Sequence, residues 1–289
     1  MTGWRFALAG IVVLAPAVAA AGDLSPAQPS LSAPANYASA SPDWIVTIGA
    51  EGRLVPAWPG ARTDEYAFAG LPLFSIRQAG TPPDYFGPRD SFGFPILNLG
   101  QIKIGPAFKI VGERKTSDYA ELNGLNDVDY ALQAGGFIDF WPVQWLRLRT
   151  EVRQGFGGET GVTGDAFLDA VVPLGQFRVS AGPRIELQST KAISPYFNIT
   201  AAQATAANLA QPGLAPLTAF AAGGGLYSYG AGGEVEYFFN QQWSAHAFAE
   251  YDRLTGDAAN SPLVAMRGSP NQLTFGFGAT YSFSMHPLW

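Results

Sequence analysis

Between Asp127 and Gln188 four consecutive segments alternate in character residue by residue, and this period of two constrains the chain more than any motif in it. In the first, Val128, Tyr130, Leu132, Ala134, Gly136, Ile138 and Phe140 alternate with Asp127, Asp129, Gln133 and Asp139. After a corner at Trp141-Pro142-Val143, Leu146, Leu148, Thr150 and Val152 oppose Arg147, Arg149, Glu151 and Arg153. Ala166, Leu168, Ala170 and Val172 then oppose Asp165 and Asp169; Phe177, Val179, Ala181, Ile185 and Leu187 oppose Arg178, Ser180, Arg184, Glu186 and Gln188. Successive side chains of a strand point to opposite faces, so each segment reads as a β-strand with one apolar and one charged face.

A soluble sandwich alternates too, with its apolar face turned toward a second sheet, so length and composition must say which solvent each face meets. These segments run about 11 to 13 residues, enough to cross a bilayer when tilted and longer than usual globular strands. Aromatics gather where strands end, at Phe140, Trp141 and Trp145 and at Tyr237, Phe238, Phe239 and Trp243, as interfacial girdles do. The chain is 47% hydrophobic but only 14% charged, against a usual quarter. The apolar face is therefore expected to meet lipid and the charged face to line a lumen.

Met1 to Ala21 carries one basic residue, Arg5, an apolar run from Phe6 to Val18 and then small residues, and reads as a secretory signal peptide. Residues 22–42 are rich in Pro, Ala and Ser without periodicity, a flexible periplasmic tail, and residues 43–289 form the barrel. Further alternation marks strands over Trp44–Arg53, Tyr66–Arg77, Gln101–Val111, Tyr227–Phe239, Trp243–Asp252 and Leu273–Phe283. Pro72 inside the second of these requires an edge-like or bulged position. Thr81–Asn98, broken by four prolines, is left unassigned, and Ala192–Gly223 is a short helix or a loop over the barrel mouth.

The expected fold is thus all-β, a transmembrane antiparallel up-and-down β-barrel of about ten strands, even as closure requires. Twelve remain possible if Tyr85–Phe94 adds two short strands or joins one at Tyr196. Tight corners at Trp141-Pro142, Pro173-Leu174-Gly175 and Asn240-Gln241 fall on the periplasmic side; the long connections 112–126, 189–223 and 255–270 fall outside. The aromatic last strand resembles the signal read by the barrel-assembly machinery.

The lumenal residues then change sign from strand to strand: Lys103 and Lys109; Asp127, Asp129 and Asp139; Arg147, Arg149 and Arg153; Asp165 and Asp169; Arg178 and Arg184; Glu234 and Glu236. Opposite charges on neighbouring strands pair directly or diagonally. The ladder is either a structural zipper filling a narrow barrel or the lining of a selective pore, and small barrels fill their interiors with side chains.

Other chemistry finds little footing. Ser244, His246, Glu250 and Asp252 share a lumenal face, but Ser-x-His on one strand sets the two side chains about 7 Å apart, too far for a hydroxyl to bond the imidazole. With two histidines and no cysteine, a His-rich or thiolate metal site and disulfides are excluded. Asp127 and Asp129 lack the glycine and terminal glutamate of a calcium loop, and Gly223-Gly224-Gly225 lacks the setting of a phosphate loop, so no metal or cofactor is expected. A net charge of −6 argues against nucleic acid as a partner.

Three strings tie the chain to a family: Gly124-Leu125-Asn126-Asp127-Val128-Asp129; Tyr196-Phe197-Asn198-Ile199-Thr200 with Ala201-Ala202-Gln203; and Gly256-Asp257-Ala258-Ala259-Asn260-Ser261-Pro262-Leu263-Val264 leading to Gly268-Ser269-Pro270-Asn271-Gln272. With these the chain resembles the MltA-interacting protein/OmpV family of Gram-negative outer-membrane proteins. It departs from that pattern at Asn198, where the family usually has Gly, and in continuing past Phe283 through Ser284 to Trp289. The resemblance implies a non-enzymatic protein of the outer membrane, embedded in its lipid. It further implies a scaffold for a murein lytic transglycosylase and a murein synthase. The alternatives are a small-solute or ion channel and, as an outsider, a hydrolase.

Overall fold

The computed structural model describes residues 43–80 and 83–286, so the expected signal peptide and tail lie outside the described residues. Ten long strands form the wall: β1 (Trp44–Pro56), β2 (Tyr66–Gln78), β5 (Ile102–Val111), β6 (Ala131–Val143), β7 (Leu146–Gly157), β8 (Val162–Leu174), β9 (Phe177–Gln188), β10 (Gly225–Phe238), β11 (Trp243–Leu254) and β12 (Asn271–Met285). Two short pieces, β3 (Phe92–Gly93) and β4 (Leu97–Asn98), both pair with β5 and bring the sheet to twelve strands. Every pairing is antiparallel, and β1 joins β12, so the first and last long strands close on each other.

Burial along these strands is that of a soluble protein turned inside out. Arg147 is 0% exposed and Asp169 1%, whereas Phe68 is 76% and Ile110 75% exposed. Water favours the opposite arrangement; a lipid surround with a polar interior favours this one. Tyr237 packs on Phe177 and Phe239, and Trp243 on Tyr281, with ring centroids 4.8–4.9 Å apart, forming an aromatic girdle at the end of the short turns. Gly175, at φ +65°, makes one of those turns. The corner expected at Trp141-Pro142-Val143 instead lies inside β6, whose register shifts between Phe140 and Val143, and the chain turns at Gln144-Trp145.

β2 is an edge strand, paired only with β1, and Pro72 sits there opposite Ala50. An edge tolerates the missing amide donor.

The far end carries the long connections, which fold into a cap. Helices α1 (Thr190–Phe197), α2 (Ala201–Ala210), α3 (Gly256–Asn260) and α4 (Pro262–Arg267) join a 3-10 turn over Ala120–Leu122. Tyr196 belongs to α1 and adds no strand, which overturns one route to twelve. Thr200 starts α2 with a capping box, its hydroxyl accepting from Gln203 N while the Gln203 side chain accepts from Thr200 N. Trp58, Leu122, Val128, Phe197, Ile199 and Leu263 are buried together in an apolar core above the mouth. Two buried arginines tie the loops through carbonyls. Arg114 donates to Tyr196 O and Asn126 O, and Arg267 to Ala215 O and Glu121 O. Burial draws the Arg114 guanidinium down to about 10, still cationic at neutral pH.

Candidate functional site

Each inward position of the wall brings its charge against a neighbour set by register. Asp139 lies opposite Arg149 on β7, 3.0 Å from it, and also accepts from Arg147 at 2.9 Å. Arg147 in turn lies opposite Asp169 on β8, 3.6 Å away. Arg149 reaches Glu151 at 2.6 Å and covers the Phe137 ring at 3.9 Å. Arg153 binds Glu151 on its own strand and Asp165 diagonally across; Arg178 faces Glu236 directly and pairs with it.

Arg184 holds Asp169 at 2.8 Å on one side and Glu250 at 3.1 Å on the other, although Glu250 lies two strands away on β11. Gly232 on the intervening β10 makes that reach possible. A Cβ there would stand 2.9 Å from the Glu250 Cγ and 3.1 Å from the Arg184 Nε.

The lumen is also occupied by the chain itself. The connection leaving β2 turns inward and threads residues 84–91 between the walls before rejoining the sheet at Phe92. Arg89 pairs with Asp252 of β11 and, at 3.1 Å, with Glu186 of β9. The next residue, Asp90, faces the opposite wall and accepts two bonds from Arg147 of β7, at 2.7 and 3.2 Å. Ser91 donates its hydroxyl to Glu151 at 2.6 Å, and Tyr85 donates to Ser180 at 2.8 Å. The Tyr85 ring lies between two guanidiniums, Arg147 at 5.1 Å and Arg178 at 5.2 Å. A basic wall on β7 and an acidic wall on β9–β11 are thus bridged by an Arg-Asp dipeptide whose charges match each side.

Asp127 and Asp129, expected in the lumen, are outside it. Both are exposed in the loop before β6, where Val128 forms a bridge with Arg114 and points into the cap core. Asp127 there accepts from the amide and hydroxyl of Thr116, each at 2.7 Å.

Lys103 pairs with Asp84 of the inner segment, and Lys109 is half-buried opposite Gln133. Glu234 is buried opposite Ser180, while Glu236 accepts from the Ser244 hydroxyl at 2.8 Å. His246 lies 2.7 Å from Glu51 of β1, so Ser244 and His246 each have a partner other than the other.

Sequence reasoning missed the inner segment, from Asp84 through Ser91. One signal pointed to it: a long connection between β2 and β5 on the side where every other connection is a short turn.

An antiparallel sheet with an apolar outer face, an aromatic girdle and a charged, filled interior defines an outer-membrane β-barrel. The model of the family described as MltA-interacting protein MipA matches residues 48–283, and the chain belongs to that family. Among solved structures, the chain is similar to an outer membrane channel from Pseudomonas putida F1. That match has 9% identity and a TM-score of 0.42, covering 86% of this chain and 99% of that one. It is also similar to OmpT of Vibrio cholerae lacking loop L8, at 10% identity and a TM-score of 0.36, covering 83% and 98%. No curated protein matches the chain.

Proposed function

We propose that the protein is a closed outer-membrane barrel that works at its surface, as a scaffold holding a murein lytic transglycosylase and a murein synthase at the membrane. The observation that carries this reading is the inner segment. Arg89 and Asp90 are ion-paired to opposite walls, and solute passage requires an unfilled path. The apolar cap over the same lumen adds a second closure. The family's description, an MltA-interacting protein, supports a murein lytic transglycosylase as the partner class.

In this reading the short turns and both strand ends, Trp44 and Met285, face the periplasm, where the enzymes reside. Residues 1–21 direct export, 22–42 form a periplasmic tail, and β12 engages the barrel-assembly machinery. β12 continues past Phe283 to Met285, which moves the strand's end beyond the family's usual terminus. The remaining ladder charges, Lys109 included, act as lumenal packing and not as a solute path.

A solute or ion channel is the second reading, favoured by the opposed basic and acidic walls, which resemble the field of a selective constriction. Two measurements on the refolded full chain separate them: retention of a purified murein lytic transglycosylase, and conductance in a planar bilayer. The scaffold reading expects retention and a silent wild type, with leak appearing on Asp90→Ala. Steady, ion-selective conductance in the wild type without enzyme retention would overturn it.

A further inference from the structure

The outward face of β8 is notched at its loop end. Val152 of β7, Gly164 of β8 and Leu187 of β9 stand in one cross-strand row, two bulky side chains flanking none. An apolar groove of about 290 Å³ opens there, bounded also by Val162, Gln188 and Ser189. Nothing inside the fold calls for glycine at this position. Gly164 is absent from the positive-φ glycines, and a Cβ there would meet only Glu151 O, at an ordinary 3.8 Å. Glycine in a strand interior weakens the strand, so a side chain of the usual β-branched kind would fit and stabilise. One step down the same face Ala166, between Thr150 and Ile185, carries the floor of the groove roughly 7 Å further toward mid-membrane.

This groove lies on the lipid-facing surface, where burying apolar area gains nothing over lipid itself and only shape and dispersion select an occupant. A narrow, apolar slot running along a strand suits an unbranched hydrocarbon chain. At its upper rim Ser189 leads directly into α1, whose first turn carries Lys191, exposed and without an ion pair among the described residues. A lysine at that level complements an anionic headgroup. We propose that the groove holds one acyl chain of a phosphate-bearing lipid of the loop-side leaflet, with Lys191 as the phosphate's partner. The site is independent of the scaffold reading.

Native mass spectrometry of the detergent-purified full chain, titrated with phosphorylated lipid A and with its dephosphorylated form, tests this. Gly164→Leu fills the slot and lowers lipid retention about fivefold or more for both forms. Lys191→Glu lowers it for the phosphorylated form alone. Ala170→Leu, outward on the same strand near the turn end, leaves retention unchanged. Equal retention by wild type and Gly164→Leu, or an equal loss on Ala170→Leu, overturns the proposal. Should Gly164→Leu fail to give the folded, heat-modifiable band on a gel, Ala166→Leu fills the same groove one row lower and is read by the same criteria.

Discussion

Arg147→Met removes the charge on which the lumen converges while keeping much of the side-chain length. Arg147 is 0% exposed and touches three carboxylates: Asp90 at 2.7 Å, Asp139 at 2.9 Å and Asp169 at 3.6 Å. Taking one partner from a buried ion pair costs about 3–5 kcal/mol, because the other charge stays behind without compensation. Here the loss is cushioned, since Asp139 keeps Arg149 at 3.0 Å and Asp169 keeps Arg184 at 2.8 Å. Asp90 retains only Arg149 at 3.7 Å and the amide of Gly87 at 2.9 Å. The expected destabilisation therefore sits at the lower end, about 3 kcal/mol, or about a hundredfold in the folded-to-unfolded ratio. Urea unfolding of the chain refolded in lipid vesicles, followed by tryptophan fluorescence and gel mobility, measures it. Adding Asp90→Asn to the Arg147→Met chain should restore about 1–2 kcal/mol, since it removes the stranded charge. An Arg147→Met protein as stable as wild type, or an Asp90→Asn change costing the same in both backgrounds, would refute the picture of a coupled, desolvated lumen.

Gly232→Leu drives a side chain into the Arg184–Glu250 crossing and should destabilise by about 1–3 kcal/mol in the same unfolding assay. Trp58→Ala empties a site 1% exposed in the cap core and should cost about 3–5 kcal/mol locally. Limited proteolysis checks this, with the loops cut while the barrel band persists. The chain has no cysteine, so single thiols report sidedness. With an impermeant maleimide on intact cells, Leu209→Cys in α2 labels and Gln241→Cys in the turn before β11 does not; the reverse pattern would invert the proposed orientation.

The strands were legible because each separates two unlike surroundings along its whole length, so the alternation survives in the residue order. Asp127 and Asp129 show where this fails. Val128 alternates with them as regularly as Leu132 does with Gln133, yet it belongs to a loop bridge whose apolar side meets the cap core, not lipid. Once the chain passes above the membrane, apolar again means inward, and the sense of the pattern reverses between Val128 and Ala131. Period two reports that two faces differ but is silent on which one is the interior.

The inner segment was illegible for a related reason. Residues 84–91 have charged wall on every side, so no face of the segment is apolar and no period is imposed on it. Arg89 and Asp90 are adjacent because their partners lie on opposite walls, Glu186 and Asp252 against Arg147. In a wall strand, neighbours of opposite sign would put one charge into lipid. Inside the lumen the same dipeptide satisfies both walls at once, which makes Arg89-Asp90 intelligible only after the strands' inward charges have been placed around it. The double substitution Arg89→Asp/Asp90→Arg tests this directly. It keeps composition and net charge but sets like charge against like on both walls, so it should expel the segment and open a conductance. The same double substitution leaving the barrel silent and fully stable would mean that the segment is held by its backbone and Tyr85, not by its charges.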